Sequence, residues 1–283
     1  GFGKSLKFDC TTADASLAVD NQLTLKHRIE GQNIQQLKWG TSSAEDVTLS
    51  FWINATKTGT YIVEFSRESR KISQAYTVSS SNTWEKKTLT FVGDTGGSVV
   101  TNDSANRLEI NFYMGVGTNY SSGTLETTWT GGTNANRAVG QVNAFDNTSN
   151  NILFTGVQLE VGPVATPFEH RSYGQELALC SRYYTDIVRA DNKTAHLIGY
   201  VQTSTVARFG FHIPMRTSPS ITETNFNILY AGGSEQAITS IDDISQDNQF
   251  LSFRANVAAN LTSGQAVALH SDGAATLTFD AEL

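Results

Sequence analysis

The side chains best equipped for chemistry on a ligand sit in one long polar stretch, Gly115–Val142 (GVGTNYSSGTLETTWTGGTNANRAVGQV): Tyr120, Trp129, Asn134 and Arg137. An aromatic face stacks on the C–H face of a pyranose ring, while amide and guanidinium groups read hydroxyls. One aromatic contact contributes on the order of 1 kcal/mol beyond its area burial, so such a site is weak alone and gains strength through repeated copies. Long ordered loops often carry function. The same residues also read as a loop that Trp129 anchors to its own domain, or as a subunit contact. Trp52 and Trp84 fall in strand-like runs and are expected to pack; Trp39, before Gly40, is given no role.

Covalent chemistry finds less to work with. Of His27, His170, His196, His212 and His270, no two stand at short metal-ligand spacing. His196 and His212 lie in strand-like runs and read as hydrogen-bonded structural imidazoles. Asp242 and Asp243 would point to opposite sides of an extended chain, and with Asp247 they read as a solvated acidic loop. A hydrolytic carboxylate pair across separate loops is the minor alternative. Gly115-Val116-Gly117 lacks the third glycine and following helix of a phosphate cradle, and no loop has EF-hand spacing. Cys10 and Cys180 read as two free, buried thiols. No catalytic residue or metal ligand is assigned, and the expectation is a protein that is not an enzyme.

The elements that must position these groups are strands. Of 283 residues, 39% are hydrophobic and 17% charged, enough apolar material for real cores and too little charge for disorder. Strand-like runs cover Leu6–Phe8, Val47–Asn54, Thr60–Phe65, Tyr76–Ser79, Lys87–Val92, Leu108–Met114 and Ile152–Val161. Later ones are His196–Thr203, Val206–Ile213, Phe226–Tyr230, Gln236–Ile241, Phe250–Ala258, Ala266–His270 and Ala274–Phe279. In Val47–Asn54, Val47, Leu49, Phe51 and Ile53 form one face and Thr48, Ser50, Trp52 and Asn54 the other. Asp272-Gly273 reads as a hairpin turn. Many short strands separated by Gly, Asn, Ser and Thr indicate sandwiches or jelly rolls. The net charge of −7 is spread as 13 basic to 15 acidic residues up to Phe168 and 7 to 12 after it. Neither half carries a bulk field for nucleic acid, and no apolar run is long enough to span a membrane.

The stretch Ile152–Tyr184 (ILFTGVQLEVGPVATPFEHRSYGQELALCSRYY) joins the halves. Ile152, Phe154, Val157, Leu159 and Val161 alternate with polar residues. Gly156 interrupts them, which suggests a bulge or a close backbone approach. Pro163 and Pro167 stop the sheet, and with Phe168 they form a structural joint. Ser172 and Gln175 make a capping box for a short helix from about Tyr173 to Tyr184. The expected fold is all-β: a jelly-roll sandwich over residues 1–168, a joint with a short helix over 169–184, and a smaller antiparallel β-sandwich over 185–283.

This joint resembles tail-fibre and receptor-binding proteins of tailed bacteriophages, especially those of marine and cyanobacterial hosts. The matching residues are Gly156-Val157-Gln158-Leu159-Glu160, Gly162, Ala165-Thr166-Pro167-Phe168-Glu169, and Glu176-Leu177 through Arg182-Tyr183-Tyr184. Leu49-Ser50-Phe51-Trp52, Gly59-Thr60-Tyr61, Tyr76-Thr77 and Asn82-Thr83-Trp84-Glu85 through Phe91 are similar to the same family's carbohydrate-binding-module jelly roll. The resemblance covers roughly residues 1–184. It implies a surface-exposed location on the virion tail, a homotrimer in contact with other tail proteins, and non-covalent binding of host surface polysaccharide. It implies no cofactor beyond the structural calcium that some such jelly rolls hold with loop oxygens. Resembling proteins have earlier residues that supply opening strands, so a chain opening on Gly1 is expected to be a fragment or processed product. Two alternatives stand beside this reading: a purely structural head-fibre or adaptor component, and the binding module of a polysaccharide depolymerase.

Overall fold

Period-two alternation of apolar and polar side chains builds nearly every element. The computed structural model describes residues 2–189, 197–230, 233–247 and 250–282, and these are all-β apart from short helical segments. The chain divides into two compact units, Gly1–His170 and Arg171–Leu283.

The first unit has eight strands: β1 (Leu6–Asp9), β2 (Gln22–Glu30), β3 (Val47–Ala55), β4 (Gly59–Arg67), β5 (Arg70–Val78), β6 (Glu85–Phe91), β7 (Asn106–Val116) and β8 (Asn151–Val161). One sheet has the order β1-β8-β3-β6 and the other β2-β7-β4-β5, all antiparallel. First pairs with eighth and third with sixth; second pairs with seventh and fourth with fifth. This is jelly-roll winding. The inward residues of β3, from Val47 to Ala55, are fully buried. They meet Tyr61, Val63 and Phe65 of β4 and Leu108, Ile110 and Phe112 of β7 in a single core. Strand β2 was absent from the sequence reading, although Leu23, Leu25 and Ile29 carry the alternation.

In the second unit, Ser172 accepts a hydrogen bond from the Gln175 amide while the Gln175 side chain caps Ser172, and α1 (Tyr173–Ser181) follows. The helix stops three residues short of Tyr184, because Tyr184 opens a strand, β9 (Tyr184–Arg189), by pairing with Asp280. The remaining strands are β10 (Leu197–Thr203), β11 (Val206–His212), β12 (Ser220–Tyr230), β13 (Ser234–Asp247), β14 (Phe250–Val257) and β15 (Ala266–Asp280). Their order, β10-β11-β14-β13-β12-β15, closes through a β10–β15 pairing. The expected antiparallel module is thus a six-stranded barrel filled by Phe209, Phe226, Phe253 and Phe279 among others, and closure removes its sheet edges. His196 lies outside the described residues.

Asp272-Gly273 is not a hairpin turn. Thr224 pairs with Thr276 and Phe226 with Ser271, so two steps on β12 face five on β15. The Asp-Gly signal marks a wide bulge in one continuous strand. On either side of it, β15 pairs with β10 (Ala266–Leu269) and with β9 (Ala275–Asp280). Asn225, at φ 62°, donates from its side chain to the Ala274 carbonyl at 3.0 Å and holds the bulge.

Candidate functional site

The long loop pairs with the edge strand β5 and then folds over the outer face of the β2-β7-β4-β5 sheet. Ser73 N–H donates to Glu126 O (2.7 Å), Lys71 and Thr130 exchange backbone bonds, and Ile62 N–H donates to the Gln141 side chain (2.7 Å). Beneath the loop, Ile62, Tyr113 and Ala138 form a small second core. Arg137 grips buried Glu64 with two parallel bonds of 2.8 and 2.7 Å. Asn111 and Tyr113 each donate to the same carboxylate at 3.3 Å. Burial alone would lower the Arg137 pKa, but the Glu64 bonds outweigh it and hold the guanidinium charged. Burial first, then the Glu64 charge, pushes the Tyr113 phenol far above its ordinary range.

The four loop residues therefore meet only in part. Arg137 lies over the Tyr120 ring, 5.6 Å from its centroid. Trp129 is half-buried elsewhere: its indole N–H donates to Val92 O at 2.8 Å and its ring meets Trp39 edge-on at 5.3 Å. Asn134 is exposed in a short 3₁₀ turn. These contacts match the anchoring alternative for Trp129.

A second buried ion cluster ties down the segment after β6. Asp94 receives Arg67 at 2.7 Å and Arg70 at 2.9 Å, and Arg67 also donates to Gly96 O and Ser98 O. These acids and bases are committed to holding loops.

The outer face of the other sheet differs. Half of it is covered by the joint: Thr48 donates to Gly162 O (2.7 Å), Thr90 to Pro163 O (3.3 Å) and Gln158 to Pro167 O (3.4 Å). The other half holds a concavity of about 370 Å³ lined by Phe2, Gly3, Lys4, Ser5, Trp52, Trp84 and Thr155. Trp84 is 40% exposed. Trp52 projects from β3 in register with Thr155 on one side and Lys86 on the other. Thr155 donates to Lys4 O at 2.8 Å and so ties the first residues to the sheet. Gly156 makes the close approach possible. At φ 57° it forms a bulge, three steps on β8 against two on β3, and a Cβ there would stand 2.3 Å from the Phe2 ring. Phe2 in turn packs edge-on against Phe168 at 4.9 Å and tilts against His170 at 5.6 Å.

Trp52 is half-buried and Trp84 40% exposed, so both pack on the outer face of the sheet rather than inside the core. The overlooked signal was Trp52 itself, a large aromatic on the polar face of β3. Cys10 is buried as expected, whereas Cys180 is exposed; both are free. In the barrel, Asp242 and Asp243 do not point to opposite sides. Asp243 at φ 45° sits in a bulge that turns both carboxylates to Arg254, at 2.8 and 3.7 Å, and Asp243 also pairs with Arg208. His270 lies 3.2 Å from Glu235. Among the described residues, no three His, Cys, Asp or Glu side chains gather as a metal site, and no helix is long and apolar enough to cross a membrane.

No protein-family model matches the chain, and no curated protein does. Among solved structures it is similar to the PBSX exported protein XepA, with 10% identity, a TM-score of 0.20, and 97% of this chain and 85% of that one covered. It is also similar to a Red Clover Necrotic Mosaic Virus chain, with 11% identity, a TM-score of 0.17, and 99% and 97% covered. At these scores neither likeness bears on fold or function; the fold rests on the strand pairing above.

Proposed function

We propose that this chain is a tail-fibre or related tail protein on the virion surface of a tailed bacteriophage, and that it holds the host surface by non-covalent glycan binding. The observation that carries the reading is the open aromatic concavity of Phe2, Trp52 and Trp84 on one sheet face of a jelly roll. The resemblance in Ile152–Tyr184 and Leu49–Phe91 supplies the phage context. Trp52 and Trp84 offer flat apolar faces to a sugar ring, and Thr155 and Ser5 offer hydroxyls at the rim. Tyr120 and Asn134 belong to the proposal as a lesser contact surface on the opposite sheet, with Arg137 and Trp129 holding their loop in place. The reading assigns no catalytic residue.

A single shallow site of this size binds in the millimolar range, about −4 kcal/mol, so useful adhesion requires several copies. The proposal therefore includes a homo-oligomer, with three copies as its expected form. Ile198, Tyr200 and Phe250 are exposed on the barrel wall and supply apolar surface for such assembly.

The test is retention of the purified chain on bacterial surface polysaccharides, beside a Trp52→Ala/Trp84→Ala variant and with mass measured in solution. The reading expects retention that the variant loses, and a trimer mass. Equal behaviour of both proteins on every glycan would overturn it. Release of reducing ends would favour the depolymerase module. Labelling that places the chain beneath other proteins of the intact particle would favour the scaffold.

A further inference from the structure

We infer that the Phe2–Trp52–Trp84 concavity selects a carboxylated sugar, such as a uronic acid unit of an acidic polysaccharide, with the Lys4 ammonium reading the carboxylate. The inference rests on the glycan-binding reading and names the ligand class for that site.

The lining is three aromatic rings, Gly3, Ser5, Thr155 and a single charged side chain, Lys4. Lys4 makes no ion pair among the described residues, and no carboxylate lines the concavity. The acids nearby are already engaged. Glu85, next to Trp84, accepts the Ser79 and Ser80 amides at 2.9 and 2.8 Å and pairs with Lys87 at 2.5 Å. Glu160 accepts both the amide and the hydroxyl of Thr166. A second lysine, Lys86, stands opposite Trp52 in the β3–β6 register, where directly paired residues share a face. Lys86 lies outside the lining and its charge acts on Glu160, so Lys4 is the one ammonium among the lining residues, and no acid stands beside it there.

That arrangement matches a sugar acid. Its ring presents C–H faces to the indoles, and its carboxylate gains a charge-assisted hydrogen bond from an ammonium. The chain as a whole carries a charge of −7, so its overall field does not draw in an anion; selection has to be local, at Lys4. Position is secured from below. Thr155 fixes the Lys4 carbonyl, Gly156 admits the Phe2 ring, and Phe168 buttresses that ring.

The experiment titrates the full chain with matched oligosaccharides: oligogalacturonate against its methyl ester, a glucuronate-containing tetrasaccharide against its ester, and oligosialic acid against its lactone. Binding is read from the indole N–H signals of Trp52 and Trp84. At least one acid is expected to bind about tenfold tighter than its neutral partner, the size of one charge-assisted bond. Lys4→Met should erase that preference, bringing the acid's affinity to that of its neutral partner measured on the same variant. Equal affinity for acid and neutral forms, or a preference that survives Lys4→Met, overturns the inference and leaves the glycan site standing. Failure of every oligosaccharide to move either indole overturns the site itself.

Discussion

The two sheets of the jelly roll are built alike inside and oppositely outside. On the β2-β7-β4-β5 sheet, the outward groups Glu64, Asn111 and Tyr113 are roofed by the loop and satisfied by Arg137. On the β1-β8-β3-β6 sheet, the outward Trp52 remains in a concavity with Trp84 and with Lys4, which makes no ion pair among the described residues. The first face spends its polar chemistry on holding its own chain together. The second keeps aromatic and cationic groups in reach of solvent. A residue rich in chemistry is therefore a weak guide to function until its partners are known; Arg137 and Lys4 are both cations, and among the described residues only Arg137 is held by a carboxylate.

The contrast breaks most visibly at the buried pair. Glu64→Gln or Arg137→Met leaves one charge without its partner and should destabilise the first unit by about 3–5 kcal/mol. Changing both to apolar residues should restore most of it. All four tryptophans lie in this unit, so urea denaturation followed by indole fluorescence reads it separately. A loss under 1 kcal/mol for either single change would mean that the loop is not held by this pair.

A rise in pH should separate the two units. Tyr61, Tyr76 and Tyr113 are buried in the first unit, and burial is the largest cause raising each phenol well above its ordinary value; no tyrosine in the described part of the barrel is fully buried. A raised folded pKa contributes stability that is fully present below the unfolded pKa and is lost as pH climbs above about 10. Indole fluorescence should therefore report unfolding above that pH while the β signal of the barrel persists in circular dichroism. Simultaneous loss of both signals would contradict the distinction.

Gly156→Ala sharpens the open face. The new methyl adds strain at positive φ and displaces Phe2, and we expect a loss of about 1–2 kcal/mol with weakened sugar binding. Trp84→Ala should have the smallest effect on stability, about 1 kcal/mol because the residue is 40% exposed and lies outside the core, while reducing glycan affinity about tenfold. A stability loss as large as that of a core tryptophan would return Trp84 to a packing role.

Much of the fold was legible because alternation is a local property. Val47–Ala55 declared its buried face and Ser172 with Gln175 the helix start, whereas in Asn151–Val161 only Ile152 and Phe154 are buried; past the Gly156 bulge, Val157 and Val161 are exposed. What stayed hidden depends on partners distant in sequence. Closure of the barrel needs Leu197–Tyr200 to meet Ala266–Leu269, and nothing in either segment alone announces the other. Asp272-Gly273 and Asp242-Asp243 look like turns because bulges and turns demand the same backbone freedom. The site was half visible: Trp52 stood on the polar face of its strand, but Phe2, Lys4 and Trp84 reach it only through the β1–β8 and β3–β6 pairings. Arg137 stood out in the sequence as a possible ligand contact, and its partner Glu64, 73 positions away, makes it a loop clamp.

The most direct test uses the four indoles as their own control. Trp52 and Trp84 line the concavity, while Trp39 is buried and Trp129 is bonded to Val92. On titration of the labelled chain with a panel of acidic and neutral oligosaccharides, the account predicts that the Trp52 and Trp84 N–H resonances shift together and saturate while those of Trp39 and Trp129 stay in place. Movement confined to Trp129, or no movement at any indole at millimolar sugar, would contradict it.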